Sequence, residues 1–359
     1  MELTVTWSDI EKELSTYTLP NEHNEVVLFG AGFLGETEAP LLKNELNIVA
    51  FSDNDPKKWK KEIAGIPCIA PEKILQYKNV FVMSPVVKFY PQIAKQMQEL
   101  GISHCTVDAY VVSKYLSEYA KVYQMLDETS RHIYAGMLLS RIQGDASRIL
   151  YLCEEKQYFA LPQFRFCGIH EVFVDCGAYT GENSQEFIQN QVGVFDKIYA
   201  FEANPAALMA MQRRLAWERD MWLFKGEQIV CERKFVGREH GQRVAFHVME
   251  GNPTNSFVSV DESDAEWIGT VSLDGYFAEK GEERITFLKA DIEGAEWDML
   301  HGGQGIIQRS KPKMALSIYH NIYDFFRIPL LLKEWVPEYR FAVRQHWNSF
   351  EETVLYCYV

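Results

Sequence analysis

The chain contains no apolar run approaching the ~18 residues that a membrane-spanning helix requires. Its opening stretch, MELTVTWSDIEKEL, is polar and acidic where a secretory signal would be basic and then apolar, so no such signal is read. Positive charge is scarce. Lys and Arg number 36 against 50 Asp and Glu, a formal net charge of −14. Such a surface repels phosphate backbones and anionic lipid, which argues against a nucleic-acid or membrane partner held by charge. Cysteine is sparse and unpatterned. Cys68, Cys105, Cys153, Cys167, Cys176, Cys231 and Cys357 are odd in number, and no two are spaced CxxC. That excludes a disulfide framework and a structural zinc site of the usual spacing. Most of them lie in apolar runs and read as small buried hydrophobes. The chain reads as cytoplasmic. It has no short-period repeat and no low-complexity segment.

What is present is ordinary globular material: 359 residues, 47% apolar and 24% charged. At about 150 residues per domain, two domains are expected. EVVLFG (25–30), NIVAFSD (47–53), NVFVMS (79–84) and SHCTVDAY (103–110) read as strands. A helical stretch interrupted by Pro40 follows the first, and an amphipathic helix from Pro91 to Leu100, closed by Gly101, precedes the last. This alternation implies a parallel sheet covered on both faces. Over 113–165, apolar residues recur at three and four (Tyr115, Tyr119, Val122, Leu126; then Ile133, Met137, Leu138, Ile142). They read as two helices of a connector, followed by the aromatic segment QYFALPQFRF. From Glu171 the alternation restarts. EVFVDCGA, KIYAFEANP, QIVCERKFV (228–236), RITFLKADIEG and KMALSIYH read as strands, RVAFHVM, SFVSV and GTVSL as shorter extended pieces, and YRFAVRQHW with ETVLYCYV as a closing hairpin-like pair. The expected fold class is therefore α/β with two Rossmann-like domains, at 1–112 and 166–359, joined by a helical connector at 113–165.

Chemistry concentrates in the second half. In FVDCGAYTGEN (173–183) an apolar strand ends at Asp175, and Gly177 and Gly181 flank a tight turn into a helix. The next strand ends at Glu202, whose carboxylate can accept two ribose hydroxyls. Parallel sheets bind ligands outside the carboxyl ends of their strands. The glycines are spaced GxxxG rather than GxGxxG, which favours a nucleoside without pyrophosphate, such as S-adenosylmethionine. In FLKADIEGAEWDMLHGG (287–303), a strand read as fully apolar stops at Asp291, with Glu293, Glu296 and Asp298 directly after. The dipole of a helix N-terminus accounts for Glu296 and Asp298 but not for Asp291, which still belongs to the strand end.

The set FVDCGAYTG, YAFEANP, TVSLDGYF, FLKADIEGAEWDMLHG, KPKMALSIYH and ETVLYCYV resembles the FkbM-type S-adenosylmethionine-dependent methyltransferases, from about Glu171 to Val359. The resemblance implies a class I methyltransferase fold, a seven-stranded sheet of order 3-2-1-4-5-7-6 with its last strand antiparallel. It also implies O-methylation, often of sugar hydroxyls or related natural products. Carried over residue by residue, it places Asp175, Gly177, Ala178, Tyr179 and Gly181 around the methionine part of the cofactor and Glu202 on the ribose. Val236 and Gly237, at the end of the third strand, would face adenine. No Asp or Asn follows that strand, a departure from the family pattern. Asp291, Glu293 and His320 are the candidates for binding or deprotonating the acceptor. An Asp/Glu/His set could equally hold a divalent cation such as Mg²⁺ to polarise the hydroxyl. His346, on the later strand pair, reads as structural.

In the first half, LFGAGFLGETEAP (28–40) places Gly30, Gly32 and Gly35 in a GxGxxG spacing after a strand and before a helix, with Asp53 ending the following strand. The segment NIVAFSDNDPKKWKKEIAGIPCIAPEKI resembles the nucleotide-sugar-binding N-terminal domain of bacterial sugar-modifying acyltransferases. Lys57, Lys58, Lys60 and Lys61 read as a solvated loop. The expectation is a two-domain O-methyltransferase acting on a small-molecule or sugar acceptor, with a nucleotide or nucleotide-sugar on the first domain. Two alternatives stand beside it: a nucleotide-binding module with a silent methyltransferase half, and an NAD-dependent oxidoreductase. The last lacks a Tyr-x-x-x-Lys or comparable pair beside the first glycine loop.

Overall fold

The computed structural model describes residues 4–166, 168–248, 256–258, 266–282 and 284–359. Cys167 and the ends of two expected extended pieces, Met249, Ser259 and Val260, lie outside them. The chain divides into two compact units. One comprises 1–153 with 321–323 and 347–351, the other 154–320, 324–346 and 352–359.

The first unit holds β1 (Glu25–Phe29), β2 (Ile48–Ser52), β3 (Glu62–Ile63), β4 (Ile66–Ile69), β5 (Val80–Ser84) and β6 (Ser103–Thr106), in the order β3-β4-β2-β1-β5-β6. All neighbours pair parallel except β3 with β4. Val26, Val27 and Leu28 are fully buried in succession, as a strand covered on both faces demands. The helices are α1 (Trp7–Leu14), α2 (Phe33–Leu42), α3 (Tyr90–Glu99), α4 (Val107–Lys114), α5 (Leu116–Met125) and α6 (Glu128–Gln143). Two sequence expectations change here. Pro40 lies inside α2 without ending it, and the helix forgoes the bond that an amide there would give to the Glu36 carbonyl. The strand read over 103–110 stops at Thr106, whose hydroxyl accepts the Ala109 amide at 2.9 Å and caps α4. The stretch read as a two-helix connector carries the end of α4 together with α5 and α6, and up to Cys153 it packs within the first unit. Asp127 caps α6, Gly144 closes it at φ 67°, and Arg141 from its last turn meets buried Asp108 at 2.6 Å.

The second unit is built on β7 (Val172–Cys176), β8 (Lys197–Phe201), β9 (Ile229–Glu232), β14 (Phe287–Ala290), β15 (Lys313–Ser317), β16 (Arg340–Gln345) and β17 (Thr353–Tyr358). Their order, β16-β17-β15-β14-β7-β8-β9, is the expected 3-2-1-4-5-7-6 read from the other edge, with β17 antiparallel to β15. Its helices are α7 (Glu182–Asn190), α8 (Pro205–Trp222), α9 (Leu273–Lys280), α10 (Glu296–Gly302), α11 (Gln304–Ser310) and α12 (Asp324–Trp335). A second sheet, β10-β13-β11-β12, comprises β10 (Phe235–Val236), β11 (Arg243–Val248), β12 (Ser256–Val258) and β13 (Glu266–Val271). The strand read as one piece over 228–236 is thus two. Arg233, which pairs with Glu266 at 2.6 Å, and Lys234 separate β9 from β10, and β10 lies parallel to β13. The main core is aromatic. Phe173 stacks on Phe187 with centroids 4.4 Å apart, and Phe287 and Tyr356 both meet Phe164 edge-on. Among the described residues no helix is long and apolar enough to cross a membrane.

The turn after β1 depends on Gly35. A Cβ there would stand 2.3 Å from the Gly30 carbonyl oxygen and 2.9 Å from the Phe51 ring, whereas at Gly32 the nearest atom is 4.0 Å away. Gly35→Ala should therefore destabilise the first unit by about 1–3 kcal/mol, and Gly32→Ala by less than ~0.5 kcal/mol. Urea unfolding of the two variants checks the contrast.

Candidate functional site

β14 pairs with β7, so the carboxyl ends of the central strands meet where the strand order reverses. The loop leaving β7 is fastened on its amide side. Gly177 N–H and Ala178 N–H both donate to the Phe201 carbonyl at the end of β8, at 3.0 and 2.9 Å. Gly177 has φ 75°, and a Cβ on it would stand 1.8 Å from the Asp291 carbonyl oxygen, so only glycine lets the loop cross the end of β14. A valine at this position would displace the loop itself rather than simply fill ligand space. Gly181, at φ 88°, starts α7 against Met211. Ala178 is buried, while Tyr179 is exposed and left-handed at φ 48°. Arg214 from α8 braces the turn, donating to the Thr180 carbonyl and to Glu182, both at 2.8 Å.

Glu202 sits beside this loop. Its carboxylate accepts Tyr179 N–H at 2.8 Å and Asn204 N–H at 2.7 Å. Burial raises its pKa, and the two amides pull it back in part. Asp175 faces inward. It is fully enclosed, accepts the Ser184 hydroxyl at 2.8 Å and lies 3.2 Å from Lys289 Nζ. It shapes the loop from below. Lys289 went unnoticed in the sequence because the strand was read as fully apolar. It stands directly opposite Asp175 in the β7–β14 register, almost wholly buried. The signal was available: a lysine inside a buried strand requires a partner.

Beyond β14, Asp291 accepts the Tyr158 hydroxyl at 2.7 Å and the Tyr319 hydroxyl at 3.2 Å. His320, from the segment after β15, has Nδ1 3.2 Å from Glu296 and Nε2 3.6 Å from both Asp291 and Glu293. Burial alone would lower the imidazole's pKa, but Glu296, Asp291 and Glu293 outweigh it and push it up to about 10. His320 is therefore an imidazolium at neutral pH, which does not suit the proton-accepting role expected of it. Asp291 is held below the usual carboxylate range: burial opposes this, but His320, Lys289 and the Tyr158 hydroxyl prevail. Glu293, with φ 54°, is pushed up to about 7 by burial, with Asp291 and Glu296 adding to it. Glu352, at φ 68° and bonded to the Gln157 amide, is likewise pushed up to about 7 by burial and by Asp291. Tyr158, Tyr319 and Glu352 were missed because nothing in their local sequence marks them, and Glu296 was read only as an acid at a helix N-terminus; the fold brings them in.

Asp291, Glu296 and His320 each offer one ligand atom, all within 4.8 Å of one another. A nitrogen donor among three is foreign to Mg²⁺, which takes an octahedron of oxygens. Val236 and Gly237 do not end the third strand of the main sheet. That strand stops at Glu232, which accepts the Tyr276 hydroxyl at 2.9 Å, while Gly237 N–H donates to Val271 within the second sheet. His346 is structural as read, with Nδ1 2.9 Å from the Glu154 carbonyl and Nε2 2.9 Å from the Tyr356 hydroxyl.

In the first unit, Gly30 has φ 128° and donates to the Ser52 carbonyl. Asp53 accepts Ala31 N–H at 2.9 Å from the glycine loop and pairs with Lys58 at 2.8 Å, so one of the lysines read as solvated is engaged. Burial opposes ionisation of Asp53, but Lys58 and the amides of Asp55 and Ala31 hold it below the usual range.

Residues 175–344 match the family described as Methyltransferase FkbM domain, and residues 22–107 the family described as C2185-like, N-terminal. No curated protein matches the chain. Among solved structures, a methyltransferase FkbM from Methylobacillus flagellatus KT aligns over 98% of this chain and 98% of its own, at 19% identity and a TM-score of 0.58. The chain shares that protein's fold. Two partial likenesses accompany it. UDP-D-quinovosamine 4-dehydrogenase from Vibrio fischeri covers 25% of this chain and 85% of its own, at 25% identity and a TM-score of 0.22. A Streptococcus mutans protein solved in complex with SAH covers 57% of this chain and 98% of its own, at 12% identity and a TM-score of 0.32.

The charge on His320 carries a signature in stability. Its pKa rises from 6.5 to about 10 on folding, so its contribution is complete below about 6.5 and is lost as the pH climbs towards about 10. The stability difference between the protein and His320→Gln, measured by urea unfolding, should shrink steadily across that window. A difference that stays constant would show that the imidazole is neutral in the folded state.

Proposed function

With an FkbM methyltransferase domain at residues 175–344 as the premise, we propose that the chain transfers a methyl group from S-adenosylmethionine to a hydroxyl oxygen of a sugar, glycan precursor or related small molecule. The observation that carries this reading is the loop 177–181. It is pinned to β8 and flanked by Glu202, and it abuts a carboxylate cluster at the switch point of the sheet. When bound, S-adenosylmethionine supplies a methyl group already activated on a sulfonium. Gly177, Ala178, Tyr179 and Gly181 would receive its methionine part and Glu202 its ribose, with Asp175 acting on the loop from below. Most of the acceleration then comes from holding acceptor and donor in line.

Deprotonation of the acceptor falls to Glu293. Its carboxylate titrates near pH 7, and its side chain keeps 44% exposure, so it can reach an incoming hydroxyl and take its proton. His320 contributes a fixed positive charge beside it, and Asp291, ionised and held by two tyrosines, orients that charge. Carboxylates outnumber cations around the cluster, which favours an uncharged hydroxyl over a phosphorylated or carboxylated acceptor. Mg²⁺ has no role in this reading, in which the imidazolium of His320 supplies the positive charge among the carboxylates. In the first unit, Gly30, Gly32, Gly35 and Asp53 are assigned to a nucleotide or nucleotide-sugar, with Lys58 at hand for its phosphate. The protein acts as a soluble cytoplasmic enzyme.

Titration calorimetry with S-adenosylhomocysteine tests the cofactor, and Glu202→Ala should weaken its binding by about 1.5–3 kcal/mol. Absence of binding to the unaltered protein would overturn the proposal, and binding without transfer to any hydroxylated acceptor would favour a silent domain. Turnover should rise with pH through about 7 as Glu293 ionises. Glu293→Gln should lower it by ~10²-fold or more at unchanged S-adenosylhomocysteine affinity. Rates that respond to EDTA and recover with Mg²⁺ would instead reinstate the metal.

A further inference from the structure

We propose that Lys289 is a positioning residue for the cofactor. It holds the Gly177 carbonyl of the loop after β7 in the shape that receives the methionine end. The inference rests on the reading that this loop binds S-adenosylmethionine.

The amide side of the loop is fastened to β8 through Phe201. On its carbonyl side the β7–β14 ladder ends with Asp291 N–H donating to the Cys176 carbonyl at 3.0 Å, and the next carbonyl, that of Gly177, lies beyond the paired positions. Lys289 Nζ meets it there. It donates to the Gly177 carbonyl at 2.7 Å and to the Cys176 carbonyl at 3.4 Å, and it lies 3.2 Å from Asp175. The ammonium thus fixes the peptide plane that follows Gly177, at φ 75°, and adds to the bonds on the plane before it, two residues ahead of the left-handed Tyr179. On its other side the same ammonium lies 5.1 Å from the centre of the Tyr158 ring, whose hydroxyl donates to Asp291 at 2.7 Å. Lys289 and Tyr158 thus lie between the loop and the Asp291 side chain, beside the direct contact of Gly177 with the Asp291 backbone.

Stability does not account for this arrangement. Removing an ammonium and a carboxylate from water is costly, and an apolar pair of the same size commonly fills two such opposed positions as well or better. What an apolar pair cannot do is donate to two loop carbonyls from the neighbouring strand.

The test compares the full-length protein with a variant in which both charges are neutralised together, since Lys289→Met alone would leave Asp175 unpaired and buried. Lys289→Met/Asp175→Asn should fold, with wild-type circular dichroism and cooperative unfolding. Its dissociation constant for S-adenosylhomocysteine and its KM for the cofactor should rise at least tenfold, while kcat at saturating cofactor changes less than about threefold. Lys289→Gln/Asp175→Asn, whose side-chain amide can still donate to the Gly177 carbonyl, should recover part of the loss. A folded Met/Asn variant that binds within twofold of the unaltered protein would overturn the proposal. Should that variant fail to fold, nitrogen-15 resonances of lysine ammonium groups in the unaltered protein decide. The buried, slowly exchanging signal should move when S-adenosylhomocysteine binds, and a signal that stays in place at saturation overturns the proposal. Failure of the unaltered protein to bind S-adenosylhomocysteine would count against the function and not against Lys289.

Discussion

An ammonium enclosed between opposed strands is the constraint around which the second unit is arranged. Lys289 and Asp175 face each other across β14 and β7, both out of reach of water. Neither charge is tolerable alone in such a place. Their pairing forces the two strand ends into one register, and that register sets where the glycine loop begins, where Asp291 emerges and which carbonyls turn towards the lysine. Gly177 follows from the same closeness: with the Asp291 carbonyl where a Cβ would stand, no other residue can make the crossing.

The acidic cluster outside β14 is a second consequence. Asp291 leaves the strand with Lys289 and His320 near it and two tyrosine hydroxyls upon it, and stays ionised in spite of burial. The cost of gathering carboxylates falls on their neighbours. Glu293 and Glu352 are driven towards neutrality, and His320 is driven the other way. Groups of like chemistry whose environments push them apart are what proton transfer near neutral pH requires. The left-handed backbone at Tyr179, Glu293 and Glu352 gathers around the same place. Such strain persists where surrounding contacts over-determine it.

In the first unit the glycine loop is held by different means. Asp53 closes back on the Ala31 amide and is met by Lys58. The loop after β7 is held by a buried cation and opens towards carboxylates, whereas the loop after β1 carries a lysine at its rim. The two glycine turns differ in backbone as well, with positive φ at Gly30 in the first and at Gly177, Tyr179 and Gly181 in the second.

Much of this was legible in the chain. Short apolar runs ending in Gly, Asp or Glu and alternating with helical stretches point to a parallel α/β architecture, because a strand buried on both faces reads as a short continuous apolar run. The class I order was implied by the resemblance of the motifs from Glu171 to Val359 to the FkbM-type methyltransferases. The glycine loop, Glu202, Asp291, Glu293 and His320 were readable because each stands at a strand end, where local sequence and position coincide. Only the tertiary structure decided what those residues are. Whether His320 is a base or a fixed cation depends on three carboxylates, two of them from the turn after a different strand and one from the helix that follows. Glu352 and Tyr158 reach the cluster from segments about 200 residues apart in sequence. Asp175 and Lys289 are more than a hundred residues apart and become one group by pairing across two strands. Periodicity and motif report the backbone's local preference, whereas a proton's affinity is set by every charge within a few ångströms, whichever part of the chain supplies it.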